Sequence, residues 1–395
     1  LLDRRPATPP PLELDPQLDP HSHAALARLV ARYGSPLLVI DAARVRSQYR
    51  RLAAALPGVD LHYALKPLPH PAVVRVLADE GAFFDLASNG EVELVKKAGV
   101  APARCIHTHP IKRDGDIRSA LNYGVRSFVV DNPDELRKFV KHRKRVSLLI
   151  RVSFRSADAV CDLSRKFGCD PQAVPELLSL ARQLRIPVEG LSFHAGSQAA
   201  GPQRHVEAIR ICAELLAAAA RDGHPLATLD IGGGFPVEYC ETVMPIEAFC
   251  APISAALAAL PAGLRLIAEP GRYIAAPAAV AVASVMGRAQ RDGRWWYYLD
   301  DGIYGSYSGR LFDHARYPIE TPVSGASLHP SVLAGPTCDS IDVIEEDLNL
   351  PLLDVGDLVI GRMMGAYTWA SATEFNFFPK ARVLALDRGQ LQGNR

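Results

Sequence analysis

The sequence lacks the marks of a disulfide-built, membrane-spanning or nucleic-acid-binding protein. Its seven cysteines (Cys105, Cys161, Cys169, Cys212, Cys240, Cys250 and Cys338) are scattered, and no CxxC pair occurs. That argues against a zinc knuckle, any other metal site or a disulfide framework, and for a reducing, cytoplasmic setting. No apolar stretch reaches ~18 residues without a charge or turn signal, which argues against a membrane span. The richest run, Ile274 to Met286, is short and Ala-heavy. Neither sign of charge dominates, since 44 Lys+Arg against 43 Asp+Glu leave a net charge of +1. Nothing there calls for a nucleic acid or an anionic membrane surface. The basic run Lys138 to Arg145 carries no interleaved aromatics and reads as a solvated helix end. With 48% hydrophobic residues the bulk of the chain is not disordered. Leu1 to Pro20 holds six prolines and no hydrophobic signal core, so it reads as an extended tail.

What is present is an alternation. Strand-like runs occur at Leu61–Leu65, Phe83–Ala87, Cys105–Thr108, Ser127–Val130, Val146–Val152, Val188–Phe193, Thr228–Ile231 and Leu264–Ala268, with helix-like stretches between them. Asp131-Asn132-Pro133 sets a polar cap before a proline suited to a first helical turn, and Ser88-Asn89-Gly90-Glu91 opens another helix. Eight such units over ~200–250 residues match a (β/α)8 barrel, with a doubly wound sheet as the rival. The polar residues Lys66, Asp85, His109, Asp131, Arg151, His194, Gly232 and Glu269 stand at the eight strand ends, where a barrel places its active site. After Tyr273 the pattern turns to strands without long helices, at Val280–Val285, Trp295–Leu299, Val355–Ile360 and Ala381–Leu386. The expected organisation is α/β: a tail and lead-in over 1–35, a strand at 36–44 joining the second domain, a barrel over 45–273 and an all-β domain over 274–395.

Four motifs converge on one cofactor. Tyr63-Ala64-Leu65-Lys66-Pro67 sets a lysine at the first barrel mouth position, where enclosure can tune its pKa. Asp230-Ile231-Gly232-Gly233-Gly234-Phe235-Pro236 lets backbone amides approach an anion closely, after the seventh strand, where barrel phosphate sites are often built. Glu269-Pro270-Gly271-Arg272-Tyr273 adds a carboxylate and an arginine, and Phe193-His194-Ala195-Gly196-Ser197 adds a flat histidine. A lysine for a Schiff base, a phosphate cradle and a carboxylate for a ring nitrogen are what pyridoxal 5′-phosphate needs.

These segments, with Phe84–Ser88, Leu163-Ser164-Arg165-Lys166-Phe167-Gly168, Asp301–Ser306, Gly335–Asp339 and Gly365–Thr368, run in unbroken order from about Pro36 to about Arg382. The chain resembles the alanine-racemase-fold (fold type III) pyridoxal-phosphate decarboxylases, most closely the ornithine decarboxylases and their bacterial relatives. The resemblance implies a cofactor-bearing TIM barrel plus a C-terminal β domain. It implies Lys66 as the Schiff-base lysine, with Asp85 and Arg151 setting its electrostatics. His194 would stack on the ring, Glu269 pair with its nitrogen, and Ser197, Gly233, Gly234, Gly271, Arg272 and Tyr367 contact the phosphate. Cys338 and Asp339 would be donated across a homodimer interface, Cys338 protonating the α-carbon after carbon dioxide leaves. Asp313 and Asp339 would hold a distal ammonium, beside Tyr304 and Phe375. Ornithine to putrescine leads, with lysine to cadaverine beside it, because one methylene separates them. The alternatives are a meso-diaminopimelate or carboxynorspermidine-type decarboxylase, a racemase, and an inactive regulatory homologue. Glu269 speaks against the racemase, and Lys66 with Cys338 against the inactive homologue.

Overall fold

In the computed structural model of the chain, residues 19–154, 166–324 and 327–392 are described. The Pro-rich tail through residue 18, Cys161 and Leu163-Ser164-Arg165 lie outside them. Eight parallel strands close into a barrel: β2 (Val59–Ala64), β3 (Phe83–Leu86), β4 (Cys105–His107), β5 (Ser127–Val130), β6 (Ser147–Arg151), β7 (Val188–Ser192), β8 (Thr228–Asp230) and β9 (Arg265–Ala268), each paired with its neighbours and β9 with β2; β1 (Leu37–Asp41) precedes them. Helices follow the strands: α3 (Pro71–Asp79), α4 (Asn89–Lys97), α5 (Asp114–Tyr123), α6 (Pro133–Lys138), α7 (Val174–Leu184), α8 (Gln203–Arg221) and α9 (Ile246–Ala258), with the short α10 (Arg272–Ala275) after β9; α1 (His23–Tyr33) and α2 (Ala42–Ala55) come earlier. Because α10 is only four residues long, α2 covers the remaining stretch of barrel wall, packed between α3 and α9.

Local chemistry sets the helix starts. Asn132 Oδ1 accepts the Asp134 and Glu135 N–H groups at 3.0 and 2.9 Å, with Pro133 at the first helical position. Ser88 Oγ accepts the Glu91 N–H at 3.4 Å.

Strand parity sorts the side chains. Phe84 and Leu86, Phe128 and Val130, Leu148 and Ile150 join the large core under the helices. Their neighbours Ile106, Val129, Leu149 and Ile267 form a separate buried cluster inside the barrel. The same parity points Asp85, Arg151, Asp230 and Glu269 inward, one step nearer the carboxyl ends. The inside is therefore apolar at mid-height and polar at the mouth.

The second domain is a nine-stranded sheet. Its path runs β14 (Val343–Leu350), β13 (His329–Ala334), β11 (Arg294–Leu299), β10 (Ala279–Arg291), β1, β16 (Arg382–Asp387), β17 (Gln390–Leu391), while β15 (Leu358–Gly361) joins β10 to β12 (Ile319–Glu320). β1 lies between β10 and β16, antiparallel to the first and parallel to the second. Strands β13 and β14 have no counterpart in the sequence pattern. Pro330 interrupts one, and Glu345, Glu346 and Asp347 give the other the polar character of the sheet edge it occupies. The helix α1, capped by Ser22, also goes beyond the extended lead-in, and it buries Ala25, Leu26 and Leu29 against Leu37, Val39, Val280 and Leu384. All six described cysteines are free, and no described helix is long and apolar enough to cross a membrane.

The inner cluster carries a direct expectation. Leu149→Ala leaves a cavity that rigid strands cannot close, and should cost about 2–5 kcal/mol in urea unfolding. An effect under about 0.5 kcal/mol would mean that the barrel interior is not close-packed.

Candidate active site

Lys66 follows β2, and its Nζ lies 3.8 Å from Asp85 Oδ2 at the end of β3. The lysine side chain is 44% exposed although its amine sits deep in protein, so it stands on the floor of an open mouth. Burial alone would lower its pKa. The carboxylate of Asp85, with Tyr367 and Glu269 behind it, overrides burial and holds it above the ordinary lysine range. Asp85 is itself held by the Thr108 hydroxyl. Glu91 lies in the same field; its carboxylate accepts the Ala87 N–H at 2.5 Å, and burial pushes its pKa up to about 7.

His194 caps β7. Its Nδ1 accepts the Gly196 N–H at 3.1 Å, which leaves the ring proton on Nε2. Burial, then Lys66 and Arg151, push its pKa well below the usual histidine range, so the ring is neutral. Arg151 lies over the Phe167 ring, 5.6 Å from its centroid.

Glu269 and Asp230 form a buried carboxyl pair, close enough for each to shift the other's titration. Asp230 also accepts the Gly232 N–H at 2.9 Å. Burial, then mutual repulsion, raise Glu269 far above an ordinary carboxyl, and burial raises Asp230 to about 6. Burial and mutual repulsion thus disfavour simultaneous ionisation of the two carboxyls.

Arg272 is the hub of the opposite wall. Ser197 Oγ accepts from its Nε and Nη2 at 3.2 and 3.0 Å, Tyr239 Oη from its Nη1 at 2.9 Å, and Asp313 Oδ2 from Nη2. The Tyr367 ring lies 4.7 Å below the guanidinium. Gly233 and Gly234 border this hub in space no side chain could share. A Cβ on Gly233 would come within 2.6 Å of Glu269 O, and one on Gly234, at φ +104°, within 2.3 Å of Gly196 O. An amine, a histidine face, a buried carboxyl pair and a glycine–serine–arginine corner fit pyridoxal phosphate at each end.

The remaining residues form a second group. Tyr304 Oη donates to Asp339 Oδ2 at 2.5 Å and stacks on Phe375 at 4.5 Å. The Cys338 N–H donates to Asn376 Oδ1 at 3.3 Å. Among the described residues, no side-chain hydrogen bond or ion pair joins this group to the Lys66 group. Cys338 is exposed, as are Phe312 at 60% and Phe377 at 98%. The structure thus gathers Lys66, Asp85, Arg151, His194, Ser197, Gly233, Gly234, Glu269, Gly271, Arg272, Tyr367 and Asp313 at one mouth, and Tyr304, Cys338, Asp339 and Phe375 in a second group not bonded to it among the described residues. His109 and Asp131 stay outside the first group. His109 meets Phe167 edge-on, and Asp131 accepts the Gly168 N–H at 2.8 Å, so both brace that segment. Asp230, Glu91, Thr108 and Tyr239 were not singled out by sequence; for Asp230 the signal was an inward position at a strand end.

Comparison with known proteins decides the family. Residues 42–276 match the family described as "Pyridoxal-dependent decarboxylase, pyridoxal binding domain". The chain belongs to the pyridoxal-phosphate-dependent ornithine/lysine decarboxylases. A lysine/ornithine decarboxylase from Selenomonas ruminantium is 36% identical over 367 residues, 93% of each chain. The structure of a lysine/ornithine decarboxylase from Vibrio vulnificus complexed with putrescine superimposes with TM-score 0.89 at 55% identity, covering 92% of this chain and 98% of that one. Its complex with cadaverine gives TM-score 0.89 at 56% identity, covering 92% and 96%. The enzyme is thus a fold-type-III decarboxylase whose cofactor is pyridoxal phosphate, built as a barrel plus a β domain.

The carboxylate pair makes stability pH-dependent. A group raised on folding stabilises fully below its unfolded pKa, near 3.8 for Asp230, and loses that contribution as pH rises through about 6. Asp230→Asn should therefore flatten the fall in cofactor-free unfolding stability between about pH 4 and pH 7. Parallel wild-type and variant curves in urea titrations would refute the raised Asp230 pKa.

Proposed function

We propose that this decarboxylase converts L-ornithine to putrescine and L-lysine to cadaverine in two shared sites of a homodimer. The observation that carries this is the pair of acidic residues, Asp313 and Asp339, each held by a neutral or phosphate-side partner. Asp339 is bonded by Tyr304 and by the Ile341 N–H, and Asp313 by Arg272. Each carboxylate keeps lone pairs for a distal ammonium. Among the described residues no basic side chain hydrogen-bonds within the Tyr304–Asp339 group, so it offers nothing to the distal carboxylate of meso-diaminopimelate. The occurrence of both putrescine and cadaverine in the Vibrio vulnificus relative supports both substrates here.

In this reading Lys66 Nζ would hold the cofactor, and Asp85 beside it keeps a proton near Nζ for exchange with substrate. Bound pyridoxal phosphate supplies the electron sink for the breaking carbon–carbon bond. The Gly233–Gly234 loop, Ser197, Arg272 and Tyr367 would hold the phosphate. Glu269 would pair with the ring nitrogen and favour its protonated form. Neutral His194 would pack against the ring without adding charge. Cys338 Sγ delivers a proton to the α-carbon after carbon dioxide departs.

The dimer reading rests on the lack, among the described residues, of any side-chain hydrogen bond or ion pair between the two groups within one chain. Cys338, Asp339, Tyr304 and Phe375 lie on an exposed, partly apolar face, suited to completing a second copy's site. Lys66→Ala and Cys338→Ala should each abolish putrescine formation, and an equal mixture should recover about a quarter of wild-type activity, as random pairing dictates. No recovery after unfolding and refolding the mixture would place both groups in one chain's site.

Carbon dioxide release should be seen with L-ornithine and L-lysine and not with meso-diaminopimelate. Turnover of diaminopimelate alone would overturn the acidic-pocket reading. Glu269→Ala should retain cofactor and lose at least about 100-fold in kcat, the scale of one misplaced proton-transfer or electrostatic partner. An unchanged rate would refute its pairing with the ring nitrogen.

A further inference from the structure

His205 is fully buried near the start of α8, outside every motif that marks the site. Its ring is stacked on Phe235, with centroids 5.6 Å apart, and meets Phe249 edge-on at 5.8 Å. A phenylalanine would fill such a setting equally well. What histidine adds is one hydrogen bond: Nε2 lies 3.0 Å from the carbonyl oxygen of Gly233. A carbonyl only accepts, so Nε2 carries the proton. The other nitrogen, Nδ1, is buried without a partner among the described residues. An orphan buried nitrogen is costly, and an aromatic hydrocarbon would avoid that cost.

The bonded carbonyl explains the arrangement. A trans peptide is planar, so its C=O and N–H point in opposite directions. Fixing the Gly233 carbonyl against α8 turns the Gly234 N–H away from the helix. The next peptide is fixed in the same way, because the Ala199 N–H donates to the Gly234 carbonyl at 3.1 Å. Gly234 touches Gly196, whose neighbour Ser197 grips Arg272. Two consecutive amides are thereby held with their carbonyls occupied, and among the described residues nothing accepts from their N–H groups, which can converge on an anion.

We propose that His205 is a positioning residue for the cofactor's phosphate: its Nε2–H holds the Gly233 carbonyl and so aims the Gly234 N–H into the corner formed by Ser197 and Arg272. The inference rests on the reading of that corner as the phosphate site, and deepens it. Burial lowers the His205 pKa to about 4, so the ring stays neutral and its hydrogen bond persists across the working pH range.

The test compares binding of pyridoxal phosphate with binding of pyridoxal, which lacks the phosphate, by the visible absorbance of the lysine-bound cofactor. His205→Phe keeps the ring and removes the donor. Its preference for pyridoxal phosphate over pyridoxal should fall about tenfold, or about 1.4 kcal/mol. The melting temperature of the cofactor-free protein should not fall. Ser197→Ala serves as the control for the corner itself. If Ser197→Ala lowers the preference and His205→Phe does not, the His205 proposal is wrong while the phosphate site stands. If neither lowers it, both fail. Equal weakening of both ligands by His205→Phe would mark a core residue only, and also overturns the proposal. Should His205→Phe not fold, wild-type protein labelled with 15N-histidine answers the same question. The expected result is an Nε2-protonated ring whose resonance shifts when pyridoxal replaces pyridoxal phosphate; an Nδ1-protonated ring sinks the idea.

Discussion

Alternation along short parallel strands is the constraint from which the rest of this molecule follows. In a closed barrel each strand sends one set of side chains under the helices and the other into a narrow interior. The interior holds one apolar layer, Ile106, Val129, Leu149 and Ile267. Above it the same parity has no apolar partner left to meet, and the inward positions become Asp85, Arg151, Asp230 and Glu269. Charged groups gather there because that end is open to ligand while its walls remain buried, which makes their fields strong.

Those fields are organised in opposite senses on the two sides of the mouth. On one side Asp85 keeps Lys66 charged against its burial, and on the other Asp230 and burial raise the pKa of Glu269. Between them His194 stays neutral, disfavoured as a cation by burial and by the two nearby cations Lys66 and Arg151. A cofactor with an aldehyde at one end, a ring nitrogen to be protonated and a phosphate at its far corner meets a different electrostatic environment at each point.

Much of this was legible from sequence. The eight barrel strands are short apolar runs ending in polar residues, and their number and spacing carry the fold. Lys66, the glycine run and Glu269-Pro270-Gly271-Arg272 were visible because each follows a strand. Strand β14 was not, since an edge strand with one face in water need not be apolar and reads as loop. Tyr239 was invisible for another reason: it sits in a loop, and only folding brings its hydroxyl against Arg272. Asp230 was quoted as the first letter of a glycine motif, yet its partnership with Glu269 depends on β8 and β9 being neighbours.

The sequence by itself determined the family, the cofactor and the class of reaction. These depend on residue types at strand ends, and strand ends are marked by local pattern. Tertiary structure decided which of those residues meet. It put Asp313 on Arg272, grouped Cys338 and Asp339 with Asn376 and Tyr304, and used His109 and Asp131 as braces instead of site residues. Local pattern places a side chain on a strand or helix, whereas contact between elements far apart in the chain depends on barrel closure and on how the β domain packs against it.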